Sequence, residues 1–520
     1  MKKLKIYWLF ILLIQMIVII IFAINKNNFF VDEIYSFGFA NSYYMPIYLN
    51  CDYYDIMLNG EFWHNILTVQ KTEIFDIKSV IYNIQTDVHP PLYYIILHMV
   101  SSFFPDILSK WMGIIPNIVF FIINQVLILA ISKRIFKNID FDKNKFFILL
   151  PCIFYGFSLG TINSILFIRM YMLLSLWSIL LLYLNIRLFE NINNKQGIKN
   201  ILIAIFFTII LGILTQYIYI IYAGLIFIGY TILFIKNKYY NEWKKYLLIN
   251  IFSIIITYLI YPKMLMQLMG NNMVTDITNQ KSIIDNISAF KGFLIILSKE
   301  FFGGSVITGI LCFILLIAVC FIIKNKKTLN INKHIILNIA VSLCFVIIMS
   351  KVAPYVMNRY LFIIYPLISI AFIMVLYYIF SQVLLKKKHI IVLFLILIIS
   401  INISSYRFNN INYKDDDYIK IENMIDKNDE FIFINHLAMW YPDIMLLAEK
   451  TKNSYMLTED SIIDFNNNKN FDDYKRKWIY ISKNCKLADN EILYQLNKNN
   501  KYKNINKVYE NWFGKIYLLE

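Results

Sequence analysis

Two adjacent carboxylates, Asp32 and Glu33, follow the end of the first long apolar run by a few residues, in Val31-Asp32-Glu33-Ile34-Tyr35. A further acid precedes a stiff element, Asp87-Val88-His89-Pro90-Pro91-Leu92-Tyr93-Tyr94. Paired prolines fix the backbone and remove two N–H donors, so they hold the preceding polar side chains in a defined direction at the start of a short helix. In an extended segment Asp87 and His89, two apart, share one face. Two arginines stand in apolar surroundings, Arg169 in Phe167-Ile168-Arg169-Met170-Tyr171 and Arg359 in Met357-Asn358-Arg359-Tyr360. A guanidinium inside a membrane helix costs roughly 2.5–3.5 kcal/mol on insertion scales, so it normally faces an anion or a water-filled cavity. Guanidinium forks suit a phosphate, and a carboxylate suits removal of a hydroxyl proton; together they point to group transfer from a lipid phosphate at a membrane surface. The plainer readings are a helix N-cap for Asp32, an interfacial loop for Asp87 and His89, and snorkelling side chains for the two arginines.

The elements that must position these groups are membrane helices. The chain has 520 residues, 59% of them hydrophobic and only 16% charged, and its mean hydropathy is +0.57. That is more apolar surface than a soluble core of this length buries. Taking about 20 apolar residues per crossing, fewer where neighbours help, the spans are 6–25, 112–132, 146–164, 168–187, 200–217, 218–235, 246–262, 303–323, 335–350, 360–380 and 390–403. This gives about eleven crossings, with the N-terminus inside and the C-terminus outside, and an N-terminal run taken as an uncleaved span. Leu92 to Phe104, bounded by Pro90-Pro91 and Pro105, is too short for an ordinary span and reads as a re-entrant or juxtamembrane helix.

The net charge of +16 resides in short Lys/Arg clusters between apolar runs, such as Lys133-Arg134 with Lys137, Lys236 with Lys238, and Lys386-Lys387-Lys388. All fall on the inner side of this topology, as cytoplasmic loops require, so nucleic acid is not the partner. The outer side then carries a long first loop (26–111), the turns at Arg169 and at Gln216-Tyr217, a loop with an amphipathic helix (263–302), the turn from Lys351 to Arg359, and a tail. The tail, 404–520, turns polar. Phe431–Ile434, Ser454–Leu457 and Trp478–Ser482 read as buried strands alternating with helices at 416–427, 441–450 and 488–497, a small α/β domain. Cys152, Cys312, Cys320 and Cys344 read as small core residues, a Cys51–Cys485 bridge has no support, and Lys414-Asp415-Asp416-Asp417 reads as a solvated helix start rather than a cation patch.

A first span followed by Asp-Glu, then His-Pro-Pro-Leu-Tyr-Tyr, Arg-x-Tyr, a Gln-Tyr turn and Asn-Arg-Tyr before a Pro-containing span resembles the GT-C class of membrane glycosyltransferases. The nearest group is the family 39, RgtA/B/C/D-like set, relatives of protein O-mannosyltransferases and aminoarabinose transferases. The resemblance covers roughly 1–380, with 1–403 as the transmembrane transferase domain and 404–520 as an extracytoplasmic domain. Carried over residue by residue, it implies Asp32 as general base or acceptor-orienting acid, Glu33 in support, and Asp87 as a second acid. His89, Arg169 and Arg359 fall at donor-phosphate positions, and Tyr35, Tyr93, Tyr171, Gln216, Tyr217 and Tyr360 at the substrate cavity. Relatives often carry His-Tyr where this chain has Gln216-Tyr217, which weakens an acid–base or metal role there and leaves a hydrogen-bonding one.

The resemblance implies an inverting transferase of the outer face of the plasma membrane. A hexosyl or pentosyl group would pass from a polyprenyl-phosphate-linked donor to a hydroxyl of a cell-envelope glycan, lipid or protein, in contact with membrane lipid. No cofactor is required, although two carboxylates and a His would also fit a divalent cation. Two other classes stay open at this level: a transporter or flippase of a lipid-linked or anionic substrate, and a non-catalytic assembly protein using the tail to bind partners. The grouping of polar residues at one membrane face, with no inverted repeat, weighs against transport.

Overall fold

A computed structural model of the chain describes residues 2–47, 53–135, 145–269, 282–302, 333–383, 416–435, 444–462, 476–497 and 502–520. The chain divides into two compact units, one of Met1–Asn25, Val88–Tyr93 and Ile114–Asn412, the other of Lys26–Asp87, Tyr94–Gly113 and Tyr413–Glu520.

In chain order the helices are α1 (Lys2–Ile24), α2 (Val31–Asn41), α3 (Gly60–Leu67), α4 (Ile77–Ile84), α5 (Leu92–Ser101), α6 (Trp111–Ile135), α7 (Leu150–Gly156), α8 (Leu159–Leu166), α9 (Tyr171–Asn193) and α10 (Lys199–Thr215). They continue with α11 (Ile218–Lys236), α12 (Tyr240–Ile260), α13 (Lys263–Met269), α14 (Ile283–Phe302), α15 (Lys333–Val352), α16 (Tyr365–Val383), α17 (Asp416–Met424), α18 (Met445–Glu449) and α19 (Asp489–Leu496). The strands are β1 (Met57–Asn59), β2 (Glu430–Ile434), β3 (Asn453–Leu457), β4 (Lys477–Ser482), β5 (Ile505–Glu510) and β6 (Gly514–Leu519).

The first unit is helical. Among the described residues α1, α6, α9, α11, α12 and α15 are long and apolar enough to cross a membrane, so the protein is a multi-pass membrane protein. Their apolar windows are buried to very different extents: 78% in α9, 61% in α6, but 22% in α1 and 17% in α12. Hence α9 lies inside the bundle, while many Ile, Leu and Phe side chains of α1 and α12 are exposed on its surface. The expected span 146–164 is not one helix. It is a 3-10 turn (Lys145–Ile148) followed by α7 and α8, because Pro151 starts a new helix and Ser158 caps the next, its Oγ accepting from Thr161 N at 3.2 Å. The α7 end is also crowded. A Cβ on Gly156 would stand 2.3 Å from the Gln15 side chain, so a larger residue would push the Gln15 amide from its place. Gln15 and Gln125 both donate to Cys152 O, at 3.0 and 3.1 Å, tying α1, α6 and α7 through groups that have no water to turn to. Leu92–Ser101 is a short apolar helix, and 360–380 opens with two 3-10 turns before α16. The spans 303–323 and 390–403, and with them Cys312 and Cys320, lie outside the described residues. Cys152 is buried, whereas Cys344 is exposed on α15 rather than in a core.

The second unit is built on one sheet, in the order β1-β3-β2-β4-β6-β5. The three strands read from sequence form its parallel centre, with Ile432 between Tyr455 and Ile479. Parallel strands covered on both faces are continuously apolar, and β2 and β4 are buried at every position. Ile492, Leu493 and Leu496 of α19 pack on Ile432, Ile434, Ile479 and Ile481. The antiparallel strands β5 and β6 extend one edge. The other edge is closed from the first loop: β1 pairs antiparallel with β3, Leu58 opposite Ser454. Trp63 of α3 is fully buried beside it, donating from Nε1 to Ser454 Oγ at 2.7 Å, with its ring tilted against that of Phe433. The segments around Cys51, Asp415 and Asn466 to Asn468 lie outside the described residues; α17 begins at Asp416.

Truncating a buried Trp costs about 3–5 kcal/mol. Trp63→Ala is therefore expected to lower the melting temperature by several degrees and to open the 416–520 region to limited proteolysis at a dose that leaves wild type intact.

Candidate functional site

The second unit holds the carboxylates. Helix α2 starts one residue before Asp32, with Phe30 as its N-cap, so Asp32 is not the cap. Glu33 does that work: its Oε2 accepts from Phe30 N at 2.7 Å. Both acids lie in the first turn, where the helix dipole favours negative charge. Glu33 is also half of a fully buried ion pair, Lys26 Nζ to Glu33 Oε2 at 2.8 Å. Burial pushes the Lys26 ammonium below its ordinary pKa, and the attraction and hydrogen bond of Glu33 oppose that. Lys110 Nζ donates to Lys26 O, adding a third strand of chain to the anchor.

The other end of α2 is tied as firmly. His98 Nδ1 donates to Ala40 O at 2.8 Å, Asn41 Nδ2 to Leu67 O at 2.8 Å, and Asn83 Nδ2 to Ser42 O at 2.6 Å. Along the helix between these anchors every residue is buried except Asp32 and Tyr35. Those two are three apart and share a face. Tyr35 stacks on Phe39 with ring centroids 6.2 Å apart. Asp87 belongs to the same unit, buried in the turn that follows α4, its N donating to Ile84 O at 3.1 Å.

The first unit holds the cations. Arg169 is 4% exposed, in the short turn between α8 and α9, not within a helix. Asn117 of α6, itself without solvent contact, sets this turn by donating from Nδ2 to Ile165 O and Phe167 O, both at 3.0 Å. The guanidinium Nη2 stands 3.4 Å from His89 Nε2. Arginine only donates, so in this contact the His89 ring nitrogen is the acceptor. Tyr171 stacks on Phe167 and meets Phe362 edge-on at 5.9 Å, which joins the Arg169 turn to the segment carrying Arg359. That segment is a 3-10 turn, Asn358–Tyr360, with Arg359 half-buried over the Tyr360 ring. Ser178 of α9 donates to Ile363 O at 2.7 Å on one side of it.

On the other side is a residue that the sequence motifs do not include. Glu300 of α14 is 6% exposed, and its Oε1 accepts from Asn358 Nδ2 at 2.9 Å. Asn163 Nδ2 of α8 donates to both its oxygens at 3.2 Å. Helix α14 lies outside the six long spans. Burial raises the Glu300 carboxyl to about 7, against the pull of the hydrogen bonds from Asn358 and Asn163. One acid in an amphipathic helix gives no signal in sequence; its burial and its amide partners identify it.

Gln216 and Tyr217 form the expected turn between α10 and α11. Gln216 Oε1 accepts from Tyr217 N at 2.7 Å, and Tyr217 Oη donates to Gln267 Oε1 at 2.6 Å. Tyr93 is buried in α5 and Tyr360 is half-buried. Among the described residues no three His, Cys, Asp or Glu side chains are grouped as a metal site would require.

Removing one partner of a buried pair strands the other charge, at about 3–5 kcal/mol. Lys26→Met is therefore expected to lower the melting temperature by several degrees, and Lys26→Met with Glu33→Gln to recover much of the loss. Glu300 gives a pH signature. A carboxyl raised in the fold stabilises fully below its ordinary pKa, and that contribution is lost as pH rises through about 7. Glu300→Gln should thus gain thermal stability over wild type between pH 5 and pH 8, by on the order of 2 kcal/mol.

No protein-family model matches the chain, and no curated protein matches it in sequence. Solved structures do match in fold. ArnT from Cupriavidus metallidurans in the apo state superposes with a TM-score of 0.52 at 9% identity, covering 99% of this chain and 98% of its own. The structure of ArnT bound to undecaprenyl phosphate superposes with a TM-score of 0.50 at 10% identity, covering 97% of each chain. The chain therefore has the fold of ArnT.

Proposed function

We propose that the protein transfers a hexosyl or pentosyl group from a polyprenyl-phosphate donor to a hydroxyl of an acceptor at the outer face of the plasma membrane. The observation that carries this reading is the division of labour on α2. Glu33 is engaged in a buried ion pair and a helix cap, while Asp32 and Tyr35 are the half-buried positions of an otherwise buried helix. A half-buried carboxylate on so firmly held a helix suits a general base. The fold supports the choice of donor, since ArnT of the same architecture binds undecaprenyl phosphate.

In the proposed reaction the acceptor oxygen attacks the anomeric carbon from the face opposite the phosphate, and its proton passes to Asp32. The carbon–oxygen bond to the phosphate breaks with inversion, and the polyprenyl phosphate leaves with the electron pair. Arg359 takes the phosphate charge, with Arg169 and His89 as a second donor pair; Asp87 orients the acceptor. Fixed cations in a site of low dielectric act strongly on charge that grows in the transition state, and they need no reorganisation to do so. An aspartate is a weak base, so positioning and phosphate stabilisation supply more of the rate than the proton transfer. We propose that no metal takes part. The tail sheet, with its first-loop edge strand, serves the acceptor side.

The test is transfer from a labelled polyprenyl-phosphate sugar by the purified full chain. Asp32→Asn is expected to lower turnover at least a hundredfold with little change in donor KM, and Arg359→Ala to raise donor KM, while EDTA leaves the rate unchanged. Wild-type rates in folded Asp32→Asn protein would overturn the assignment.

A further inference from the structure

A buried carboxylate is expensive, and one without a cation is rarer still. Glu300 has two partners among the described residues, Asn163 and Asn358, and both are neutral amides. Space has been made for it. A Cβ on Gly160 of α8 would stand 2.8 Å from Glu300 Oε2 and 2.5 Å from the Tyr365 ring. The next two residues of α14, Phe301 and Phe302, are also buried, so this end of the helix is packed inside the unit. The cost of the acid is offset by what it holds, and one of its two partners is the residue directly before Arg359.

We propose that Glu300 is a positioning residue for the donor phosphate: by accepting from Asn163 and Asn358 at once, its carboxylate locks the 358–360 turn onto α8 and so fixes where Arg359 presents its guanidinium. The inference rests on the reading of Arg359 as a phosphate ligand. The turn is anchored at its far side by Ser178 on Ile363 O and by the Tyr171–Phe362 contact. Glu300 supplies the anchor at its near side. The same α8 ends in the turn that carries Arg169, so one carboxylate sets the spacing of the segments that carry both arginines. Loss of the anchor lets the Asn358 end move, and a bidentate contact degrades with small displacements.

Binding of undecaprenyl phosphate to the full chain in detergent tests this, because affinity reads the placement of Arg359 without requiring the sugar or acceptor. Hydrogen bonds to a charged acceptor are worth about tenfold or more. Glu300→Ala and Asn358→Ala are each expected to weaken binding about tenfold, and the double variant no more than either alone, since both cut one link. Glu300→Gln, which keeps an acceptor oxygen for Asn358, should recover most of the affinity. Wild-type affinity in folded Glu300→Ala, or losses that add in the double variant, would overturn the proposal. If Glu300→Ala does not fold, the half-buried Asn358→Ala decides on its own: a tenfold loss supports the link and unchanged binding ends it. Failure of the wild type itself to bind undecaprenyl phosphate overturns the donor reading together with this one, an outcome distinct from a variant that binds normally.

Discussion

An ammonium and a carboxylate with no access to solvent, Lys26 and Glu33, stand 2.8 Å apart at the point where the chain leaves its first helix. Such a pair adds little net stability, because desolvation consumes most of the attraction, but it tolerates only one arrangement. Every residue of α2 inherits that arrangement. With the cap on Phe30 and the three amide and imidazole contacts at its far end, the helix has no freedom to roll. What it presents, an aspartate and a tyrosine on one edge, is a consequence of what it buries.

The helical unit uses a different device for the same purpose. Asn117, Asn163, Gln15 and Gln125 sit in apolar helices and direct their N–H groups at carbonyls and at a carboxylate. In a medium without water each such amide must find a partner, so each one fixes a geometry. Two of them hold the turns from which Arg169 and Arg359 project, Asn117 directly and Asn163 through Glu300. The turns that carry the two arginines are thus set by amide side chains and one carboxylate.

This explains what could be read in the sequence. Asp32, Asp87, His89, Arg169 and Arg359 stand out in the sequence as candidates because charge is conspicuous in an apolar chain, and the three central strands were legible as short, largely apolar runs of strands buried on both faces. The supporting residues were not. A single Asn in a run of Ile and Leu looks like tolerated polarity until its carbonyl partner is known, and Glu300 in an amphipathic helix looks like its solvated side. The break in 146–164 was visible only as one proline and one serine inside a hydrophobic window, a length measure being blind to caps. Strand β1 has three residues and no apolar alternation to announce it. Its pairing is decided by Ser454, hundreds of positions later.

That last feature bears on how the molecule is made. Trp63 and Ser454, hydrogen-bonded through their side chains, are separated by 391 positions, and nearly all the membrane helices lie between them. Contacts of such range form late, since the entropy of closing the loop must be met before they return anything. During synthesis the first loop emerges with an unpaired strand and an exposed tryptophan, and neither is satisfied until the last fifth of the chain follows. The tail sheet is in this sense a closing clasp between the first loop and the end of the chain.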